Sequence, residues 1–174
     1  MKRIVIVCES LTGNTAMLAE ALRSHLQTEN IRVLTPAQTD ADSFDVFFVG
    51  SWTDKGDCTA NTAALLEKLH GKDVFLFGTC GFGSSAAYFD TVYHRFADHV
   101  SADNRIIGHY ICQGKMAESV LHRFEAMKAA NPGSSDRWNE CIENYNSALL
   151  HPNGKDLHEL YAAVDQAAEA AGII

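Results

Sequence analysis

Five short apolar runs lie in the first two thirds of the chain. Strands that are covered on both faces, as in a parallel sheet, lose the alternation of polar and apolar residues, and these runs lack it. Each run ends near a Gly, Ser, Thr or Pro residue, which is typical of strand ends. The pattern predicts five β-strands, at residues 3–8, 31–35, 45–50, 73–78 and 105–112.

Helical patterns separate most of these runs. The spacing of the apolar residues predicts helices at residues 16–26, 62–69 and 88–100, whereas residues 36–43 predict only a turn or a poor helix. Strands and helices in this alternation favour right-handed crossovers and a doubly wound α/β sheet with helices on both faces. Ligands bind such sheets beyond the carboxyl ends of the strands, so the loops after the first, third and fourth strands are the candidate site.

The last part of the chain predicts three more helices. Stripes around Phe124, Tyr145 and Leu160 are separated by two breaks, at residues 131–133 and 151–154, that contain Pro and Gly. No low-complexity linker precedes these helices. We therefore expect a single domain over residues 1–174, with a core at 1–113 and a C-terminal helical extension at 114–174, and packing is a better explanation of the extension than a lid.

Composition and charge exclude several classes of protein. The 174 residues are 47% apolar, as in globular proteins, and 14 basic against 22 acidic side chains give a net charge of -8. No apolar stretch approaches the roughly 20 residues of a membrane span, and Glu9 interrupts the first apolar run too early for a secretory leader. The sequence predicts a cytoplasmic protein with no membrane partner. Because basic runs are lacking, nucleic acid is not expected either.

The cysteines and histidines give no local metal or disulfide signal. The five cysteines are scattered without a C-x-x-C pair, and the eight histidines show no H-E-x-x-H motif. From spacing alone we expect no metal site and no disulfide, and most of the cysteines are predicted to be small buried apolar residues.

The loop after the first strand has the composition of a phosphate site. Ser10, Thr12, Asn14 and Thr15 surround Gly13 where the chain enters a helix, and free backbone N–H groups at a helix start favour an anion. A Walker loop would supply a lysine, and this loop has none. Neutral donors of this kind suit a monophosphate, although an ordinary helix cap is an alternative interpretation.

The segment Ser10-x-Thr12-Gly13-x-Thr15 resembles the phosphate motif of the flavodoxin family, S/T-x-T-G-x-T, at every defined position. The resemblance extends from residue 1 to about residue 113. It implies a flavodoxin-like fold with strand order 2-1-3-4-5, bound FMN and electron transfer. It also implies that Ser10, Thr12, Asn14 and Thr15 hold the FMN phosphate.

Two further loops are expected to contact the flavin ring. Trp52, after the third strand, can stack on the isoalloxazine, and flavodoxins have an aromatic residue in a similar loop. After the fourth strand, Gly81 and Gly83 allow backbone amides to approach a planar ligand, although Phe82 stands where many flavodoxins carry an acidic residue. Tyr88 can cover the second face of the ring or pack in the core.

The full set of predicted cofactor contacts spans the three loops and the start of the third predicted helix. It comprises Ser10, Leu11, Thr12, Gly13, Asn14, Thr15, Ser51, Trp52, Thr53, Asp54, Lys55, Gly56, Thr79, Cys80, Gly81, Phe82, Gly83 and Tyr88. The segment 113–115 can reach the same rim, but a polar turn there needs no ligand.

Three functions remain open from the sequence. No nucleophile elbow or paired set of carboxylates is visible, so the chemistry belongs to the cofactor, and no catalytic residue is expected. The first interpretation is an FMN electron carrier whose negative charge guides it to a reductase and an acceptor enzyme with basic surfaces. The alternative is an FMN-dependent NAD(P)H oxidoreductase that reduces a quinone or another small molecule. A flavodoxin-like binding module without FMN is the third.

Overall fold

Five parallel strands form one sheet. The structure, a computed structural model, describes residues 2–26, 30–83 and 85–173. Its strands are β1 (Ile4–Glu9), β2 (Arg32–Leu34), β3 (Val46–Trp52), β4 (Asp73–Cys80) and β5 (Arg105–Gln113). They are ordered β2-β1-β3-β4-β5, and each neighbouring pair is parallel. The predicted doubly wound sheet and its strand order are confirmed.

The helices connect the strands and complete the chain. They are α1 (Asn14–His25), α2 (Ala60–Leu66), α3 (Ala86–Ala97), α4 (Glu118–Ala130), α5 (Ser135–Ala148) and α6 (Gly154–Ala171). The predicted turn region contains two short 3₁₀ helices, Pro36–Gln38 and Ala41–Ser43, and the three C-terminal helices are present as predicted. Within the described ranges, no helix combines the length and hydrophobicity that a membrane span requires.

The first three helices begin earlier than the apolar spacing predicted. The Oγ1 atom of Thr59 accepts a hydrogen bond from the Thr62 N–H, and α2 starts directly after this cap. Ser85 caps α3 in the same way, through the Tyr88 N–H. Because a cap is polar and precedes the apolar stripe, the stripe shows where a helix is buried and not where it begins.

The core lies in two layers, one on each face of the sheet. Successive side chains of a strand point to opposite faces, and β1 shows this directly, since Ile6 belongs to one layer whereas Val5 and Val7 belong to the other. α1 and α6 cover the first face, and α2 and α3 cover the second. Both faces are therefore apolar, which explains the unbroken hydrophobic runs in the sequence.

The last helix is part of this core. Leu160 and Val164 of α6 are fully buried beside α1 and the sheet. α6 thus completes the sandwich, although the sequence interpretation had placed it in the extension with the two helices before it. α4 and α5 pack mainly against each other, and this pair is the addition to the sandwich.

Candidate functional site

A cavity of about 300 Å³ lies at the carboxyl ends of the strands. The loops after β1, β3 and β4 meet there, as expected for a doubly wound sheet. The segment after β5 and the first turns of α4 close the remaining side. The described lining comprises Leu11, Thr12, Asn14, Trp52, Thr53, Thr79, Cys80, Gly81, Phe82, Gly114, Lys115, Met116, Ala117, Val120 and Arg123.

The start of α1 borders this cavity with free backbone donors. Gly13, the N-cap residue, has φ 90°, a conformation that favours glycine. None of the described side chains makes the capping hydrogen bond to the first turn of α1. The N–H groups of that turn are therefore available to an anion, and the helix dipole adds to the attraction. This geometry favours the anion-site interpretation of the loop over that of an ordinary cap.

Side chains of the same loop hold it in place. The Asn14 amide donates to Thr12 Oγ1 at 3.0 Å and to the Lys115 carbonyl at 2.8 Å. The hydroxyls of Thr15 and Thr79 share a buried hydrogen bond of 2.9 Å. Thr15 is completely buried, so this hydrogen bond joins the first turn of α1 to the end of β4. Ser10 Oγ accepts a hydrogen bond from the Gly13 N–H at 3.1 Å and fixes the turn before the helix.

The one acidic side chain of the first loop is engaged outside the cavity. Glu9 accepts hydrogen bonds from the Thr59 hydroxyl, from Asn61 Nδ2 at 2.9 Å and from the Thr62 hydroxyl at 3.4 Å. These donors all belong to the start of α2. Because the carboxylate is held there, its charge does not occupy the place of a bound phosphate.

The loop after β3 contributes Trp52 and Thr53 to the lining. Trp52 is only half-buried where it lines the cavity, so its indole is the candidate stacking surface for a flat ligand. Thr53 is fixed by two hydrogen bonds to the Thr79 carbonyl, from its N–H at 3.0 Å and from its hydroxyl at 2.9 Å. Ser51 lies buried behind them, and its hydroxyl donates to the Trp52 carbonyl at 2.8 Å.

The rest of this loop is directed to α3. Asp54 and Asp57 close a tight turn through two backbone hydrogen bonds of 2.8 and 3.0 Å. Lys55 and Gly56, at φ 51° and 86°, form its corner. The Gly56 carbonyl accepts a hydrogen bond of 3.2 Å from Arg95. This turn, with its predicted contacts Asp54, Lys55 and Gly56, is outside the described lining of the cavity.

The loop after β4 is pinned by the C-terminal helices. The Gly81 carbonyl accepts hydrogen bonds from Asn144 Nδ2 at 2.9 Å and from Gln113 Nε2 at 3.3 Å. A Cβ atom on Gly81 would lie 2.5 Å from Met116 Cγ, so any larger residue here would require the Met116 side chain to shift. Burial raises the pKa of the Cys80 thiol to about 12, which keeps it neutral and supports its interpretation as an inert thiol.

The start of α4 forms a wall that the sequence interpretation missed in part. The polar turn at 113–115 is predicted to reach the rim, but Val120 was assigned only to a packing stripe and Arg123 to no role, because helical spacing is also typical of simple packing. Phe82 contacts this wall, with its ring centroid 5.7 Å from that of Phe124. Lys115 and Arg123 are the charged residues in the described lining, so cations border a cavity that had been expected to offer neutral donors alone.

The structure brings together half of the predicted contacts. Those in the described lining are Leu11, Thr12, Asn14, Trp52, Thr53, Thr79, Cys80, Gly81 and Phe82. Those outside it are Ser10, Gly13, Thr15, Ser51, Asp54, Lys55, Gly56, Gly83 and Tyr88. Tyr88 packs beside Gly83 and against the α3 layer of the core, in agreement with the packing alternative.

Comparison with known proteins identifies the family to which this chain belongs. The model of the flavodoxin domain family matches residues 5–165, and the chain therefore belongs to that family. The match includes α4, α5 and most of α6, beyond the resemblance seen at residues 1–113.

A curated relative and two solved structures are similar to this chain. The flavodoxin-like domain-containing protein BilS of Clostridioides difficile (strain CD3) is 31% identical over 163 residues, which cover 91% of this chain and 92% of that protein. A short-chain flavodoxin associated with a non-canonical PDU bacterial microcompartment superposes with a TM-score of 0.59 at 18% identity, over 97% of each chain. A Fusobacterium nucleatum flavodoxin bound to flavin mononucleotide gives 0.50 at 19%, over 67% of this chain and 80% of that one. The two structures support the fold.

Proposed function

We propose that this protein binds FMN in the cavity at the strand ends and carries electrons between partner proteins. Membership of the flavodoxin family supports FMN as the cofactor. The observation that carries the proposal is the meeting, in one cavity, of an uncapped helix start and a half-buried tryptophan. A phosphate group and a flat aromatic ring are the two ends of FMN, and each end has a matching surface here.

The phosphate end is assigned to the first turn of α1. Its free N–H groups and the Thr12 hydroxyl supply the donors. Thr12 Oγ1 already accepts the Asn14 amide, so its own proton remains free to donate to an anion. The position of Glu9, held by α2, keeps a negative charge out of this end.

The ring end is assigned to Trp52 and the loop after β4. A half-buried indole at the cavity provides a stacking surface. The 42% exposed Phe82 lies near the opposite wall, where the first turns of α4 and Met116 add apolar atoms. Bound FMN supplies reversible electron transfer, and the chain's own residues bind it, orient it and exclude water from its ring.

The size of the cavity favours a carrier over a reductase. Pockets for one small molecule range from about 300 to 1,000 Å³, and this cavity is at the lower limit. An NAD(P)H oxidoreductase needs space for a second ligand over the ring. In the described lining, neither a histidine nor a carboxylate is placed to move a proton. A redox protein that docks at the cavity mouth needs neither, and the net charge of -8 favours partners with basic surfaces.

The visible spectrum of the purified protein tests the proposal. We expect flavin absorption bands after reconstitution with FMN, and no bleaching when NADPH is added without oxygen. Rapid bleaching by NADPH would support the oxidoreductase instead. A protein that takes up no FMN after reconstitution would refute both and favour a flavodoxin-like module without cofactor.

A further inference from the structure

Three side chains that can ligate a metal meet at the end of the loop that follows β3. They are Asp57 and Cys58, directly after the tight turn, and His99, just beyond the end of α3. Their ligand atoms, one from each residue, all lie within 4.8 Å of one another. Oxygen, thiolate sulfur and imidazole nitrogen are the three ligand types that Zn²⁺ uses in proteins.

The surroundings of His99 orient its ring. Nδ1 lies 3.2 Å from Glu67 Oε1, and Nε2 lies 3.1 Å from Asp57 Oδ2. When the Nδ1–H donates to Glu67, the lone pair of Nε2 points to Asp57. A histidine that is bonded to a carboxylate through one nitrogen and to the metal through the other is the usual arrangement at protein zinc sites.

Asp57 is oriented as well. Its Oδ1 accepts a hydrogen bond of 2.7 Å from the Cys58 N–H, which leaves Oδ2 directed to His99. The carboxylate and the imidazole are partly open to solvent, at 40% and 26% of their side-chain surfaces, whereas Cys58 is 7% exposed. A cation can therefore enter from the solvent side and meet the thiol at the buried side.

We propose that Asp57, Cys58 and His99 form a Zn²⁺ site, with water as the fourth ligand. In tetrahedral zinc coordination the ligand atoms are separated by about 3.3 to 3.6 Å, from the usual zinc–ligand bond lengths. The 3.1 Å separation of His99 Nε2 from Asp57 Oδ2 is already close to this range, and Cys58 Sγ lies within 4.8 Å of both ligand atoms. The proposal is independent of FMN binding.

Metal binding at this cluster displaces protons. Burial and the neighbouring Asp57 raise the pKa of the Cys58 thiol to about 12. Burial lowers the pKa of His99, but its hydrogen bonds to Asp57 and Glu67 outweigh burial and raise it. Zinc therefore replaces a proton on each of the two residues, and its affinity is expected to increase with pH.

The bound metal would join two elements that are distant in sequence. Asp57 and Cys58 belong to the connection between β3 and α2, and His99 follows α3. Zinc would cross-link them beside the existing hydrogen bond from Arg95 to the Gly56 carbonyl. A ligand that binds only the folded chain also raises its thermal stability.

Cobalt substitution tests the site directly. The full chain, freed of metal with EDTA and without FMN, is titrated with Co²⁺ and then with Zn²⁺. We expect the near-ultraviolet band of a thiolate–cobalt bond and the visible bands of tetrahedral cobalt, both abolished by Zn²⁺. Cobalt binding without a thiolate band would overturn the proposal, as would a lack of binding.

Variants assign the ligands. Cys58→Ser should abolish the thiolate band, and His99→Gln and Asp57→Asn should each weaken Zn²⁺ binding at least tenfold. Glu67→Gln, which alters only the orienting carboxylate, should weaken it by about 10-fold. If Cys58→Ser does not fold, the partly exposed His99 carries the test, through the shift in melting temperature that Zn²⁺ produces in the wild type and not in His99→Gln.

Matched controls come from elsewhere on the chain. His70→Gln removes another histidine that lies beside a carboxylate, and Cys141→Ser removes a partly buried thiol. Both should bind Zn²⁺ like the wild type. Equal losses in the controls and in the cluster variants would refute the assignment. Because FMN is absent throughout, failure here leaves the proposed electron carrier untouched, and loss of FMN binding leaves this test unaffected.

Discussion

Replacement of Thr12 by valine separates the phosphate end of the cofactor from its ring end. The side chain of Thr12 is exposed at the cavity, and its Oγ1 accepts the Asn14 amide at 3.0 Å, so the hydroxyl has its proton free for a ligand. Valine has nearly the same shape and lacks that donor. A hydrogen bond to a charged group contributes about 1.5 to 3 kcal/mol. The FMN dissociation constant should therefore rise by about 10- to 150-fold.

Titration calorimetry with two flavins measures this effect. Riboflavin has the same ring as FMN and no phosphate, so Thr12→Val should leave riboflavin affinity nearly unchanged. Thr12→Ser keeps the hydroxyl and serves as the control, with an FMN affinity close to that of the wild type. Equal weakening of FMN and riboflavin by Thr12→Val would place the hydroxyl at the ring, and an unchanged FMN affinity would show that the hydroxyl does not contact the cofactor. Either result would refute the assignment.

Three further substitutions test the structure around the site. Gly114→Ala would place a methyl carbon 2.8 Å from Asn14 Nδ2, and the resulting displacement should cost about 1 to 3 kcal/mol of unfolding free energy and weaken FMN binding, as measured by denaturation and flavin titration. The Arg105 guanidinium lowers the pKa of Asp73 from its ordinary 3.8, so the charged carboxylate stabilises the folded chain above about pH 4 and this contribution is lost as the pH falls through the lowered value. Asp73→Asn should therefore reduce stability by about 1 to 2 kcal/mol at pH 7 in urea unfolding, and an equal difference in strong acid would contradict this. Leu160→Ala should cost about 2 to 5 kcal/mol, because the side chain is fully buried, and a loss below about 1 kcal/mol would show that α6 is not part of the core.

The strands were predictable from the sequence because their environment is uniform. Residues such as Phe48 and Phe75 point to one face and Phe47 and Leu76 to the other, and both faces are covered, so the hydrophobic runs are continuous. Helix starts were less predictable, because a single capping hydroxyl such as that of Ser85 sets them from outside the apolar stripe. The spacing of apolar residues therefore predicts that a strand or helix is present, whereas the start of a helix depends on one capping hydrogen bond.

The site was predictable where its chemistry is local. The loop around Thr12 carries its donors within a few residues, and they reach one cavity because the chain enters α1 there. Arg123 approaches the same cavity from α4, far along the chain, and its helical pattern matches that of ordinary packing. The turn at Gly56 is a prediction of another kind, which rests on its position and not on its chemistry. Its place in the loop predicts a contact with the ring, and in the structure its carbonyl accepts a hydrogen bond from Arg95 of α3.

One proposed site lies at each end of the connection between β3 and α2. Trp52, the last residue of β3, lines the cavity proposed for the flavin, and Cys58 belongs to the proposed zinc cluster. Zinc can change the affinity for FMN through this segment only if the two ligands favour different conformations of it. That segment is a turn closed by two backbone hydrogen bonds between Asp54 and Asp57, and a third hydrogen bond ties it to Arg95 before any ligand arrives. Since the turn is already held in one conformation, zinc would stabilise it without moving Trp52, and FMN affinity should be the same with and without the metal.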